Sequence, residues 1–113
     1  MPEIPEPTIR ATCYDVTCLP PDNINAHVYT IKVEYRGHGK WAVLNGKRAY
    51  DINGNADWEP IPSEREDDWL ANHRHTLSEA LAIAVRVAPQ MVVNGHTVAD
   101  ALIAREAFPH PNA

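Results

Sequence analysis

The sequence predicts an α+β fold: a three- to four-stranded antiparallel meander with a buried helix at about 76–88 packed on one face, and a second amphipathic helix at about 97–107. Three observations carry this. Tyr29, Ile31, Val33 and Tyr35 alternate with Thr30, Lys32, Glu34 and Arg36, the period-2 pattern of a half-buried strand. Asn45-Gly46, a strong hairpin signal, separates two short apolar runs. Thr76 and Glu79 form the Thr-x-x-Glu capping box that opens the longest apolar-rich run of the chain. Strands come first and helices later, so the helices are expected on one face of the sheet.

Taken in order, residues 1–9 hold three prolines and two glutamates and are expected to be extended and flexible. The globular domain is expected over 10–107, with a flexible tail at 108–113. Arg10 to Leu19 reads as a strand with Tyr14, Val16 and Cys18 on one face, ended by Pro20-Pro21. Val28 to Arg36 is the clearest strand. Gly37-His38-Gly39 turns the chain into Trp41 to Leu44, and Lys47 to Ile52 pairs back, ending at Asn53-Gly54. Pro60 and Pro62 exclude regular structure before a short helix at Asp67 to Asn72, with Trp69 and Leu70 docked inward.

The main helix follows. Leu77, Ala80, Leu81, Ala84, Val85 and Ala88 recur at helical spacing, widened by Ile83 and Val87, which implies cover on most sides. Pro89 stops or kinks it. Beyond Met91-Val92-Val93 and Asn94-Gly95, Thr97 caps the second helix with Asp100 at its third position. Val98, Ala101, Leu102 and Arg105 form its stripe.

At 113 residues, with 44% apolar and 22% charged residues, the chain fits one ordinary globular domain. A net charge of −5 argues against general affinity for nucleic acid or anionic membrane. No apolar run reaches membrane-spanning length and the N-terminus lacks a signal-peptide pattern, so a bacterial cytoplasm is the expected location. Cys13 and Cys18 are read as buried thiols, since no further ligands complete a zinc site. No metal or other cofactor is expected.

Charge is segregated along the chain. Residues 31–50 carry Lys32, Arg36, Lys40, Lys47 and Arg48 against Glu34 alone; residues 51–70 carry seven acids against Arg65 alone. A solvated sheet face beside an acidic loop, with internal ion pairs, explains this without function. A bipolar surface that steers a partner is the functional alternative. Trp58 lies between acids and prolines, and packing under the loop competes with exposure as a binding anchor. The candidate partner surface is therefore Trp58, Glu59, Arg65, Asp67, Asp68 and His73. The candidate basic patch is Lys32, Arg36, Lys40, Lys47 and Arg48. Catalysis is not expected, because the chain holds no phosphate loop, nucleophile elbow or Cys–His pattern. His73 and His75 offer a pair of imidazoles with no third ligand at a telling spacing.

The segments Arg36 to Val43 and Trp58 to Leu70 carry Arg-Gly-x-Gly-x-Trp-Ala-Val and Trp-Glu-Pro-x-Pro-Ser-x-Arg-x-x-x-Trp-Leu. In these, and over Tyr14 to Thr97, the chain resembles small uncharacterised proteins of actinobacterial phages and their hosts. The resemblance brings no catalytic residues. It implies a phage-type accessory protein that acts by binding a host or phage protein and so modulates a host process. A nucleic-acid-binding regulator using the basic sheet face is the alternative, and a virion component the third. Homo-oligomers could form through the sheet edge or the last helix.

Overall fold

The computed structural model describes residues 3–104. Five strands form one antiparallel meander in the order β1 (Cys13–Thr17), β2 (Thr30–Tyr35), β3 (Trp41–Asn45), β4 (Arg48–Tyr50) and β5 (Ala56–Trp58). Helix α1 (Asp67–His73) follows, then α2 (Leu77–Val87), which runs into a 3-10 turn at Ala88–Gln90. A two-stranded hairpin, β6 (Val92–Val93) with β7 (His96–Thr97), leads into α3 (Val98–Ile103). The α+β meander with a long helix on it is as the sequence predicts, with one strand more.

The central strands form where apolar alternation demands it. Ile31 and Val33 of β2, with Tyr29 just before it, are fully buried under α2, whose inner face supplies Ala80, Ile83, Ala84 and Val87. Burying side chains such as Ile83 and Val87 contributes about 1.5–3 kcal/mol each. Both halves of the α2 capping box form: the Glu79 amide donates to the Thr76 hydroxyl at 3.2 Å, and the Thr76 amide donates to the Glu79 carboxylate at 2.9 Å. The same box starts α3 through Thr97 and Asp100.

Several boundaries differ from expectation. The first strand spans Cys13–Thr17, not 10–19, and residues 3–12 carry no helix or strand. Both cysteines are exposed rather than buried, because β1 is an edge strand and Cys18 lies beyond its end. Ala26–Tyr29 is a 3-10 turn, so the second strand starts at Thr30, with Tyr29 still delivered to the core. Helix α2 is covered on one face only; Val85 remains 63% exposed, since no element among the described residues packs on its outer side. The second helix is shorter than expected: it ends at Ile103, with Ala104 an extended C-cap, and residues 105–107 of its expected span lie outside the described residues.

The other sheet face is not fully wet. Trp41, Ala42, Val43 and Leu44 are consecutive and all buried, so β3 is covered on both sides. Ala42, Leu44 and Ala49 form a second small cluster beneath Trp69 of α1. Trp69 thus docks inward as its sequence context predicts.

Turn chemistry fixes the hairpins. Asn45 pairs with Arg48, so Gly46 and Lys47 are the central turn residues, with Gly46 at φ +61°. A single positive φ at the first central position is the type II′ pattern, which needs glycine there. The β6–β7 turn instead places both Asn94 and Gly95 at positive φ, the type I′ pattern. That hairpin is tied to the core by the Tyr29 hydroxyl, which donates to the His96 carbonyl at 2.7 Å.

Candidate functional site

The segment from Asp51 to His75 carries most of the candidate residues, and its geometry starts at a turn. Asp51 Oδ1 accepts from the amides of Asn53 and Asn55, both at 2.9 Å. Gly54 sits at φ +82°, where a Cβ would lie 3.0 Å from Arg86 Nη2. Arg86 in turn donates to the Ile52 carbonyl at 3.0 Å and moors the turn to α2. These contacts reverse the chain into β5, a strand in place of the expected loop. Its three residues are too few for periodicity to reveal it.

On β5, Trp58 pairs with Arg48 of β4 and is 60% exposed, so it does not pack under the loop. The Arg48 guanidinium lies 5.2 Å from the centre of its ring, a cation–π contact that favours this placement of the indole. Asp57, beside it, accepts from the Trp58 amide at 2.9 Å.

One residue further, the chain turns inward. The Glu59 amide donates to the Lys47 carbonyl at 2.9 Å, and the Glu59 side chain is only 11% exposed. Its carboxylate meets three guanidiniums: Arg74 at 2.7 Å, Arg36 at 3.4 Å and Arg65 at 3.5 Å. Arg65 also donates through Nε to the Pro60 carbonyl at 2.8 Å. Arg74, with its side chain 8% exposed, donates to the His73 carbonyl at 3.0 Å and lies 5.3 Å from the centre of the Trp69 ring. Burial pulls the Arg74 pKa below its ordinary value, against the opposing pull of Glu59; Arg36 and Arg65 lower it further. Glu59 is the counterion that lets these arginines sit together.

This geometry revises the candidate partner surface. Trp58, Asp67 and Asp68 are exposed. Glu59 and Arg65 turn into the ion-pair network. His73 is buried, stacked on Trp69 at 4.2 Å between ring centres, with Nδ1 2.8 Å from the Trp69 carbonyl, so its ring packs inside the fold instead of lying on the surface. His75 is buried too, with Nε2 2.9 Å from the Tyr50 carbonyl, while its backbone pairs with Trp41. The two imidazoles therefore serve different packing contacts. Among the described residues no cluster of three His, Cys, Asp or Glu side chains has metal-site geometry.

The basic patch is divided as well. Lys32 pairs with Asp15 at 2.7 Å across β1 and β2. Arg36 contacts Glu34 and Glu59, and Arg48 lies over Trp58. Lys40 and Lys47 make no ion pair among the described residues. No described helix is long and apolar enough to cross a membrane.

No protein-family model, curated protein or solved structure matches this chain.

Proposed function

We propose that the protein is a non-catalytic interaction module that binds a host or phage protein through the β5 edge, with Trp58 as its anchor. One observation carries this reading: a tryptophan 60% exposed, on an edge strand, with its ring held by Arg48. Ordering the ring in advance lowers the entropy lost on binding, and tryptophan is the residue type most enriched at binding hot spots. Exposed Asp57, Glu64, Glu66, Asp67 and Asp68 follow in the same segment and would favour a partner with a basic rim. In the setting that the resemblance implies, the protein is a small cytoplasmic accessory factor acting on a host process.

The test compares wild type with Trp58→Ala in affinity capture from an actinobacterial lysate after nuclease treatment. A protein retained by the wild type should be lost by the variant, since a hot-spot truncation costs about 2 kcal/mol or more, while circular dichroism and thermal midpoint stay unchanged. Equal retention by both sinks the reading. Capture that disappears with nuclease alone moves the function to nucleic acid.

A further inference from the structure

A groove of about 400 Å³ lies between the Gly37-His38 turn and α1. Arg36 and Lys40 line it from the sheet side, and Arg74 lines it from beyond the end of α1. Leu70 and Ala71 supply apolar surface, and Asp67 is the one acidic lining residue. This volume lies in the range of small-ligand sites, which join apolar surface to a few fixed polar groups. Arg74 is such a group: its side chain is more than nine-tenths buried and held by Glu59 and the His73 carbonyl.

The lining holds three permanent cations against one carboxylate. Glu59 is shared among Arg36, Arg65 and Arg74, and Glu34 reaches only Arg36, so the arginines outnumber the acids they contact. Lys40 has no ion-pair partner among the described residues. Cations gathered at one groove favour an anion. Their number favours a tetrahedral one: a carboxylate offers two oxygens in one plane and a single guanidinium fork can satisfy it, whereas a phosphate presents oxygens to donors from several directions. We propose that this groove binds a phosphate-bearing small molecule, with the oxyanion on Arg36, Lys40 and Arg74 and the attached carbon skeleton over Leu70 and Ala71. Asp67 is placed to accept a hydrogen bond from a ligand hydroxyl. This site is separate from the role assigned to Trp58 and does not depend on it.

The experiment titrates the full chain with inorganic phosphate, phenyl phosphate and benzoate at matched ionic strength, followed by calorimetry and by amide chemical shifts. Phenyl phosphate should bind more tightly than inorganic phosphate, and benzoate about tenfold more weakly than phenyl phosphate, with shifts centred on residues 36–40 and 67–74. Lys40→Glu, at an exposed position outside the ion-pair network, should weaken phenyl phosphate about tenfold or more, while Lys32→Glu leaves it unchanged. No binding of phenyl phosphate up to about 10 mM overturns the site. Benzoate binding as tightly as phenyl phosphate overturns the ligand class. Equal losses in the two lysine variants overturn the location, because they would mean attraction by overall charge.

Discussion

The pairs Arg74–Glu59 and Lys32–Asp15 have the same 2.7 Å separation and opposite surroundings. In the first, the side chains are 8% and 11% exposed; in the second, 50% and 59%. Distance alone would rank them equal. Water decides otherwise: an exposed pair is screened and loses side-chain entropy, whereas a buried charge depends on its partner because it has lost its hydration. Glu59 also serves three arginines from three parts of the chain, while Asp15 joins two neighbouring strands.

The largest expected effect breaks the buried side. Glu59→Gln keeps the shape but leaves Arg36, Arg65 and Arg74 without their shared carboxylate, and should cost about 3–5 kcal/mol in urea unfolding. A loss under about 1 kcal/mol would place the two pairs in one class.

The α2 cap sharpens the comparison, being solvent-exposed like Lys32–Asp15 but built on backbone amides. Thr76→Ala should cost about 1 kcal/mol. The Glu79 carboxyl is held below the usual carboxylate range, first by the Thr76 backbone amide and then by the Thr76 side chain. A depressed pKa gives stability that is complete above the unfolded value and lost as pH falls through the folded one. The deficit of Glu79→Gln against wild type should therefore be present near neutral pH and shrink in acid, as thermal unfolding across pH would reveal.

The smallest effect belongs to the exposed pair. Lys32→Ala should change stability by less than about 1 kcal/mol, and less again in high salt. The Lys32 pKa is raised, chiefly by its hydrogen bond to Asp15. A raised pKa gives stability that is present below the unfolded lysine value and lost as pH rises through the folded one, so the small difference should fade in strong alkali, as it should in acid once the Asp15 carboxylate is protonated.

The same contrast explains what was legible in the sequence. Helix α2 could be read because its capping box and apolar spacing are local. The meander could be read because β2 alternates and Asn45-Gly46 punctuates it. The Glu59 network could not, because it joins Arg36, Arg65 and Arg74, whose meeting depends on β5 and on the turn at Asp51. Read linearly, the basic and acidic stretches leave open internal ion pairs or a bipolar surface, without saying which residues would meet; β5 folds one stretch back beside the other and pairs Arg36 with Glu59. Exposed Trp58 was one of two open readings, and the structure chooses by pairing it with Arg48 on an edge strand. His73 misled as a contact residue because its polarity is spent on a carbonyl within its own helix.

The backbone pairing of Trp41 with His75, where each amide donates to the other's carbonyl at 2.8 and 2.9 Å, joins positions far apart in sequence. It closes the intervening chain into a loop anchored at both ends to β3. Closure entropy grows only slowly with loop length. Residues added or removed near exposed Pro62-Ser63-Glu64 would therefore change the excursion more than the position of α2, which begins two residues after the anchor. The segment bearing the proposed contact surface can thus vary in length while the helix and sheet keep their packing.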